Sequence, residues 1–134
     1  MEAKVFYEGG VRFAIEARGH RVVSDQPEAN KGQDQGMTPP ELMLASLGSC
    51  VAYYAVEFLK FRGLPTEGLT VSVKAQKVLK PARMDQFELE IETREPLDAK
   101  YLDGLVKYAS QCLVHNTLMH PPEISVRVAQ PTAI

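Results

Sequence analysis

Two residues in this chain carry a nucleophilic, redox-capable group: Cys50 and Cys112, the only cysteines among 134 residues. A thiol attacks as its thiolate, so a reactive cysteine needs a partly shielded position and a nearby cation. Burial alone raises its pKa and leaves it inert. Cys50 ends the run TPPELMLASLGSC, from Thr38 onward, which is almost unbroken hydrophobe after its first turn. The plain alternative is packing, since free cysteine is among the most buried residue types. Cys112 heads CLVHNTLMHPP, in which His115, Asn116 and His120 follow. A Cys-x-x-His pair can start a metal site, but these scattered groups lack a carboxylate and do not complete a structural zinc set. A Cys-His-Asn hydrolase needs the three groups to converge in space, which spacing alone does not supply. His20, beside Gly19, reads as a turn residue, and no phosphate-cradling glycine motif is present.

The elements that must position these thiols can be read from periodicity. Lys4–Tyr7, Val11–Glu16 and His20–Val23 alternate as short strands, with Gly9-Gly10 and Arg18-Gly19 as turns. DQPEANKGQDQGM then reads as a mobile polar loop. Thr38 suits a helix N-cap, Pro39 the first helical position and Glu41 the third, so a capping box opens a helix from Pro39 to about Arg62. Gly63-Leu64-Pro65 ends it. Around that helix, Ala45, Gly48, Ser49, Ala52 and Ala55 form a stripe of small residues, open to close approach by a second chain. Met43, Leu47, Tyr54, Phe58 and Phe61 form a bulky stripe with Cys50 on its margin, and Ser46, Tyr53, Glu57 and Lys60 the polar side. Being apolar over most of its circumference, it is expected to be a buried central helix. Residues 69–79 and 86–94 alternate as two longer strands joined at Pro81–Met84. A second helix follows Pro96, with Asp98 as N-cap; Leu102, Leu105, Val106, Ala109, Cys112 and Leu113 recur at three and four, which places Cys112 inward at its end. EISVRVA reads as a last strand. The order is that of an α+β fold in one domain, 1–134.

Composition excludes several classes. With 45% hydrophobic and 24% charged residues the chain is ordinary for a globular protein, and a net charge of -2 leaves no basic footprint for nucleic acid. Met1-Glu2 opens an alternating pattern and not a leader, and Glu41, Glu57 and Lys60 bound the longest apolar run, so no membrane association is expected. Two cysteines without an export signal point to a reducing cytoplasm, where thiols stay free or cycle in redox chemistry.

TPPELMLASLGSC, a helix running to RGL, a strand, and then CLVHNTLMHPP before a final strand together resemble the OsmC/Ohr family, from about Gly19 to Val128. The likeness is nearer the broad OsmC-like branch than the dedicated organic hydroperoxide resistance branch. It implies an intertwined homodimer of antiparallel strands and two central helices, with the active site at the interface. It also implies a cysteine-based peroxidase that acts on organic hydroperoxides and needs no cofactor: no metal, flavin or haem. By position, Cys50 matches the peroxide-attacking cysteine and Cys112 the resolving one. A sulfenic acid on Cys50 would be captured as a Cys50–Cys112 disulfide and reduced by an external dithiol, lipoyl-type dithiols included. The family holds its thiolate with an Arg and that Arg with a Glu. Arg12 is the first candidate for the cation, with Arg18 and Arg21 behind it. The usual Glu position is Pro40 here. Glu41, nine residues before Cys50, lies on the far side of a straight helix and roughly 13 Å along its axis, so it either caps the helix or orients an Arg across a dimer. Two other readings use the same pocket: a non-catalytic protein binding a small apolar or acyl ligand, and a redox sensor that forms the same disulfide.

Overall fold

Thr38 starts the helix on which the molecule is built. Its hydroxyl accepts from the Glu41 backbone N–H at 3.4 Å, while the Glu41 carboxylate accepts from the Thr38 backbone N–H at 2.9 Å. This reciprocal cap satisfies N–H groups that have no intrahelical partner. In a computed structural model of the chain, which describes residues 1–132, the helix (α1) spans Pro39–Phe61. Three strands precede it: β1 (Lys4–Tyr7), β2 (Phe13–Ala17) and β3 (His20–Ser24). It is followed by β4 (Thr70–Val78), β5 (Arg83–Glu92), α2 (Ala99–Ala109) and α3 (Leu113–Met119). The fold is α+β, with two separate antiparallel sheets, β1-β2-β3 and β4-β5.

The core forms between α1, the inner face of β4-β5, and α2. Leu47, Val51, Ala55, Phe58 and Leu59 of α1 meet Leu105 and Ala109 of α2, with Cys112 completing the buried cluster. In the hairpin, Val71 faces Ile91 and Val73 faces Leu89, and these side chains pack on the cluster. Their neighbours Ser72, Lys74, Glu88, Glu90 and Glu92 point to solvent, the alternation expected of a sheet covered on one face. Tyr54, Phe58 and Tyr108 join α1 to α2 through tilted ring contacts at 5.7 and 6.1 Å.

The small-residue stripe of α1 is split by this packing. Gly48 and Ala55 are buried against their own chain; a Cβ on Gly48 would sit 2.9 Å from Val73 Cγ2. Ala45 and Ser49 face solvent in the protomer. Thus the close approach that the stripe invites is made, at Gly48, by β4 of the same chain.

Two further expectations are corrected. The second helix stops at Ala109, and after a short turn Cys112 starts a third helix that the sequence does not announce. The segment 123–129 forms no strand and pairs with no other strand, and Ile124, Val126 and Val128 are exposed. Helix α1 is long and apolar enough to cross a bilayer by length and composition, a test that a core helix also passes, and its uninterrupted apolar run stays between Glu41 and Glu57. Its buried face builds the core described above.

The N-terminal sheet stands apart. None of its residues enters the core cluster, and Val5, Phe6, Tyr7 and Val22 remain exposed on it. The loop after it is not slack. The buried Asp25 carboxylate accepts from the backbone N–H groups of Gln26 at 2.8 Å, Gln35 at 3.0 Å and Gln33 at 3.2 Å. Gly32 and Gly36 let the loop fold on itself, since a Cβ at either would lie about 2 Å from a backbone oxygen, of Gln26 and Val23.

Candidate active site

Cys50 sits half-buried in the middle of α1, packed on the core cluster to which Cys112 belongs. Cys112 is fully buried at the first position before α3. The two thiols lie near enough for Cys50 to act on the Cys112 thiol. Long separation in sequence is thus closed by the packing of α3 on α1.

Cys112 is the N-cap of α3, an unusual use of a thiol. The His115 backbone N–H donates to its Sγ at 3.2 Å, and the Val114 N–H also favours charge there. Burial outweighs both and pushes the Cys112 thiol above its ordinary value of 9.0; the adjacent Cys50 pushes the same way. A protonated, buried Cys112 beside a more accessible Cys50 is an asymmetric dithiol, suited to one attacking and one following thiol.

The proposed polar helpers stand elsewhere in the protomer. Arg12 Nε lies 3.8 Å from Glu8 Oε1, is buried, and has no hydrogen-bond partner. The Gln26 N–H lowers the Asp25 pKa most, against burial, with the Gln35 and Gln33 N–H groups and last the Arg12 charge adding to it. Arg12 and Asp25 line a polar recess on the N-terminal sheet together with Lys31 and Gln33. Arg21 pairs with Glu8 and, at 3.9 Å, with Glu16; Arg18 occupies the β2–β3 turn with a positive φ of 52°. Glu41 is taken up by the helix cap: Thr38 N–H and Thr38 hydroxyl both donate to it and lower its pKa. None of the influences on Cys112 is a cation.

The hydrolase arrangement does not form. His120 Nδ1 meets the Asn116 carbonyl at 3.1 Å, and Asn116 Nδ2 donates to the Gln111 carbonyl at 3.4 Å. Cys112 receives the backbone of His115, whose ring Nδ1 is buried without a partner. Sequence reasoning left His115 without a role; its only signal was its place one turn after a cysteine.

The family model for OsmC-like proteins matches residues 32–127. The chain belongs to the OsmC-like family. Solved structures agree on the fold. A Psychrobacter arcticus protein named for osmotic stress induction and a detoxification response is 23% identical at TM-score 0.78, covering 86% of this chain and 85% of that one. An OsmC-like protein from Mycoplasma pneumoniae is 16% identical at TM-score 0.77, over 90% of this chain and 87% of that one. An organic hydroperoxide resistance protein OsmC from Legionella pneumophila is 18% identical at TM-score 0.61, over 87% of each. No curated protein matches the sequence. In this OsmC-like protein the two thiols lie near each other, at the core cluster.

Proposed function

We propose that this OsmC-like protein is a thiol-dependent peroxidase for organic hydroperoxides, with Cys50 as nucleophile and Cys112 as resolving thiol. The single observation that carries this reading is the approach of the two thiols, the half-buried one on α1 and the fully buried one before α3. Packing alone requires no such pairing of the only two cysteines in the chain.

The Cys50 thiolate attacks the outer peroxide oxygen, breaking the O–O bond. Cys50 becomes a sulfenic acid, and the alkoxide takes up a proton and leaves as the alcohol. The Cys112 sulfur then attacks Cys50: the S–S bond forms, the S–O bond breaks, and the Cys112 proton leaves with the hydroxyl as water. An external dithiol, for which dihydrolipoamide serves as the probe, returns both thiols and is itself oxidised to a disulfide.

Attack at neutral pH needs a cation, and the site so far described has none. We assign that charge to Arg12 of a second copy of the chain, within a homodimer. The support is that Arg12 keeps a partly exposed side chain whose Nε has an ion-pair neighbour in Glu8 but no hydrogen bond, and that the sheet bearing it has an exposed apolar face and no residue in the core cluster. Glu41, whose Oε1 serves the α1 cap, would orient such an Arg through its other carboxylate oxygen.

The test is steady-state consumption of cumene hydroperoxide and hydrogen peroxide with dihydrolipoamide as donor. Saturable turnover, abolished in Cys50→Ser, is expected. In Cys112→Ser a single equivalent should react and leave a sulfenic acid that over-oxidises with excess peroxide. Thiols that remain fully titratable after peroxide treatment would overturn the reading.

A further inference from the structure

Cys112 fastens the start of α3 with the same atom that would enter a disulfide. Its Sγ accepts from the His115 backbone N–H at 3.2 Å, and its carbonyl accepts from the Asn116 N–H at 3.0 Å, the first bond of the helix itself. The thiol is thus the side-chain acceptor that caps a seven-residue helix. Among the described residues, little else holds α3. None of its own residues is buried, Leu113 and Met119 are 60% and 65% exposed, and only Val114 packs on the core cluster. A cavity of about 400 Å³ lies between α1, β5 and α3, with Leu47 and Phe87 on one side and His115, Leu118 and Met119 on the other. A short helix with few buried contacts and a void beneath it belongs to the low-stability end of a fold.

We propose that α3 is a redox-operated cover, closed while Cys112 is a thiol and loosened when Cys112 joins Cys50 in a disulfide. The inference deepens the peroxidase reading above and rests on its pairing of the two thiols. Bonded sulfurs stand about 2.05 Å apart, well inside non-bonded contact, so at least one of them must move. Cys50 is carried in the middle of the 23-residue α1, where backbone hydrogen bonds on both sides resist displacement. Cys112 lies in the turn between α2 and α3. The movement therefore falls on Cys112 and draws its Sγ away from the His115 N–H. That N–H is part-buried and is left without an acceptor, so the first turn of α3 loses its cap. The consequence bears on the second half of the cycle. Cys112 is fully buried in the reduced protein, whereas an external dithiol must reach a sulfur of the disulfide to reduce it. Loosening of α3 opens a way to that bond in the one state that has to be reduced.

Amide hydrogen exchange of the full chain, read by mass spectrometry on peptides that cover α3, tests this without a peroxide. Diamide takes two electrons and two protons from the thiol pair, leaves the Cys50–Cys112 disulfide and is itself reduced to the hydrazine. Oxidation is expected to speed exchange over His115–Met119 about fivefold, the size of a lost side-chain cap, and to leave the buried stretch Leu47–Leu59 of α1 unchanged. Cys112→Ser keeps an acceptor at the cap, so its α3 should exchange as in the reduced wild type, with or without diamide. Cys112→Ala has no acceptor, and its α3 should exchange fast in both conditions. Exchange in α3 that is unchanged or slower once the disulfide has formed would overturn the proposal, since the cross-link would then fasten the helix. Failure of diamide to join the two cysteines would overturn it as well. If diamide loosens α3 while cumene hydroperoxide leaves both thiols titratable, the cover stands and the peroxidase reading falls. If peroxide is turned over and the disulfide leaves α3 as it was, the cover falls and the peroxidase reading stands.

Discussion

At the scale of single residues, the two cysteines differ in burial and therefore in chemistry. Cys112 is held as the thiol by burial, with Cys50 adding to the effect, so its pKa lies above 9.0. The sign follows from linkage. The unfolded chain ionises Cys112 first, so this contribution to stability is fully present below the unfolded pKa and is lost as pH rises toward the folded value. Two outcomes are expected. Iodoacetamide at neutral pH should modify Cys50 well before Cys112 in the native protein, read by peptide mass spectrometry. In Cys112→Ala the decline of melting temperature above about pH 9 should be shallower than in wild type. Equal alkylation of both thiols would contradict the asymmetry on which the division of labour rests. Glu41 teaches the opposite lesson: a carboxylate near a reactive thiol in sequence can have one oxygen engaged by its own helix cap.

At the scale of elements, α1 is positioned by one missing side chain. Gly48 admits β4 so closely that an added Cβ would press Val73 Cγ2, and valine has few ways to yield. Gly48→Ala is therefore expected to cost about 1–3 kcal/mol in chemical denaturation, the usual range for overpacking, and Val73→Ala should relieve part of it. Because the clash is within one chain, the loss should not depend on protein concentration. The loop before α1 is fastened by Asp25, whose pKa is lowered by the Gln26 N–H first and then by Gln35, Gln33 and the Arg12 charge, against burial. Its stabilisation is present above the unfolded value near 3.8 and is lost as pH falls through the folded pKa. Asp25→Asn should accordingly speed amide exchange at Gln33 and Gln35 at neutral pH, and the difference from wild type should shrink in acid. Unchanged exchange at both amides would remove Asp25 from this role.

For the whole molecule, two surfaces lack the cover that a folded chain normally gives its apolar groups. The β1-β2-β3 sheet buries only Ala14 and adds nothing to the core cluster around α1, and Ile124, Val126 and Val128 alternate along an exposed, unpaired stretch. A second copy would pair and cover both. The protein is expected to sediment as a dimer at micromolar concentration, and truncation before Glu123 should weaken or abolish that dimer. A wild-type monomer, or a truncated chain that dimerises unchanged, would contradict this account. In the dimer, Arg12→Ala should slow the alkylation of Cys50 at neutral pH, since a thiolate loses its adjacent positive charge.

Much of the local structure was legible because local rules set it. Thr38, Pro39 and Glu41 announced the start of α1, Asp98 that of α2, and alternation the two hairpin faces, each through hydrogen bonds or burial that neighbours in sequence decide. Family likeness singled out Cys50 and Cys112. Whether their thiols meet depended on α3 packing against α1, and α3 itself was hidden because its cap is a cysteine and its apolar residues continue the α2 pattern. The small stripe was seen, but its partner at Gly48 proved to be β4 of the same chain, a choice made by tertiary packing. Arg12 and Glu41 were picked by charge, yet each took the nearest available partner, Glu8 and Thr38. EISVRVA has the alternation of a strand and finds no edge to join, since pairing is a property of what lies alongside and not of the strand.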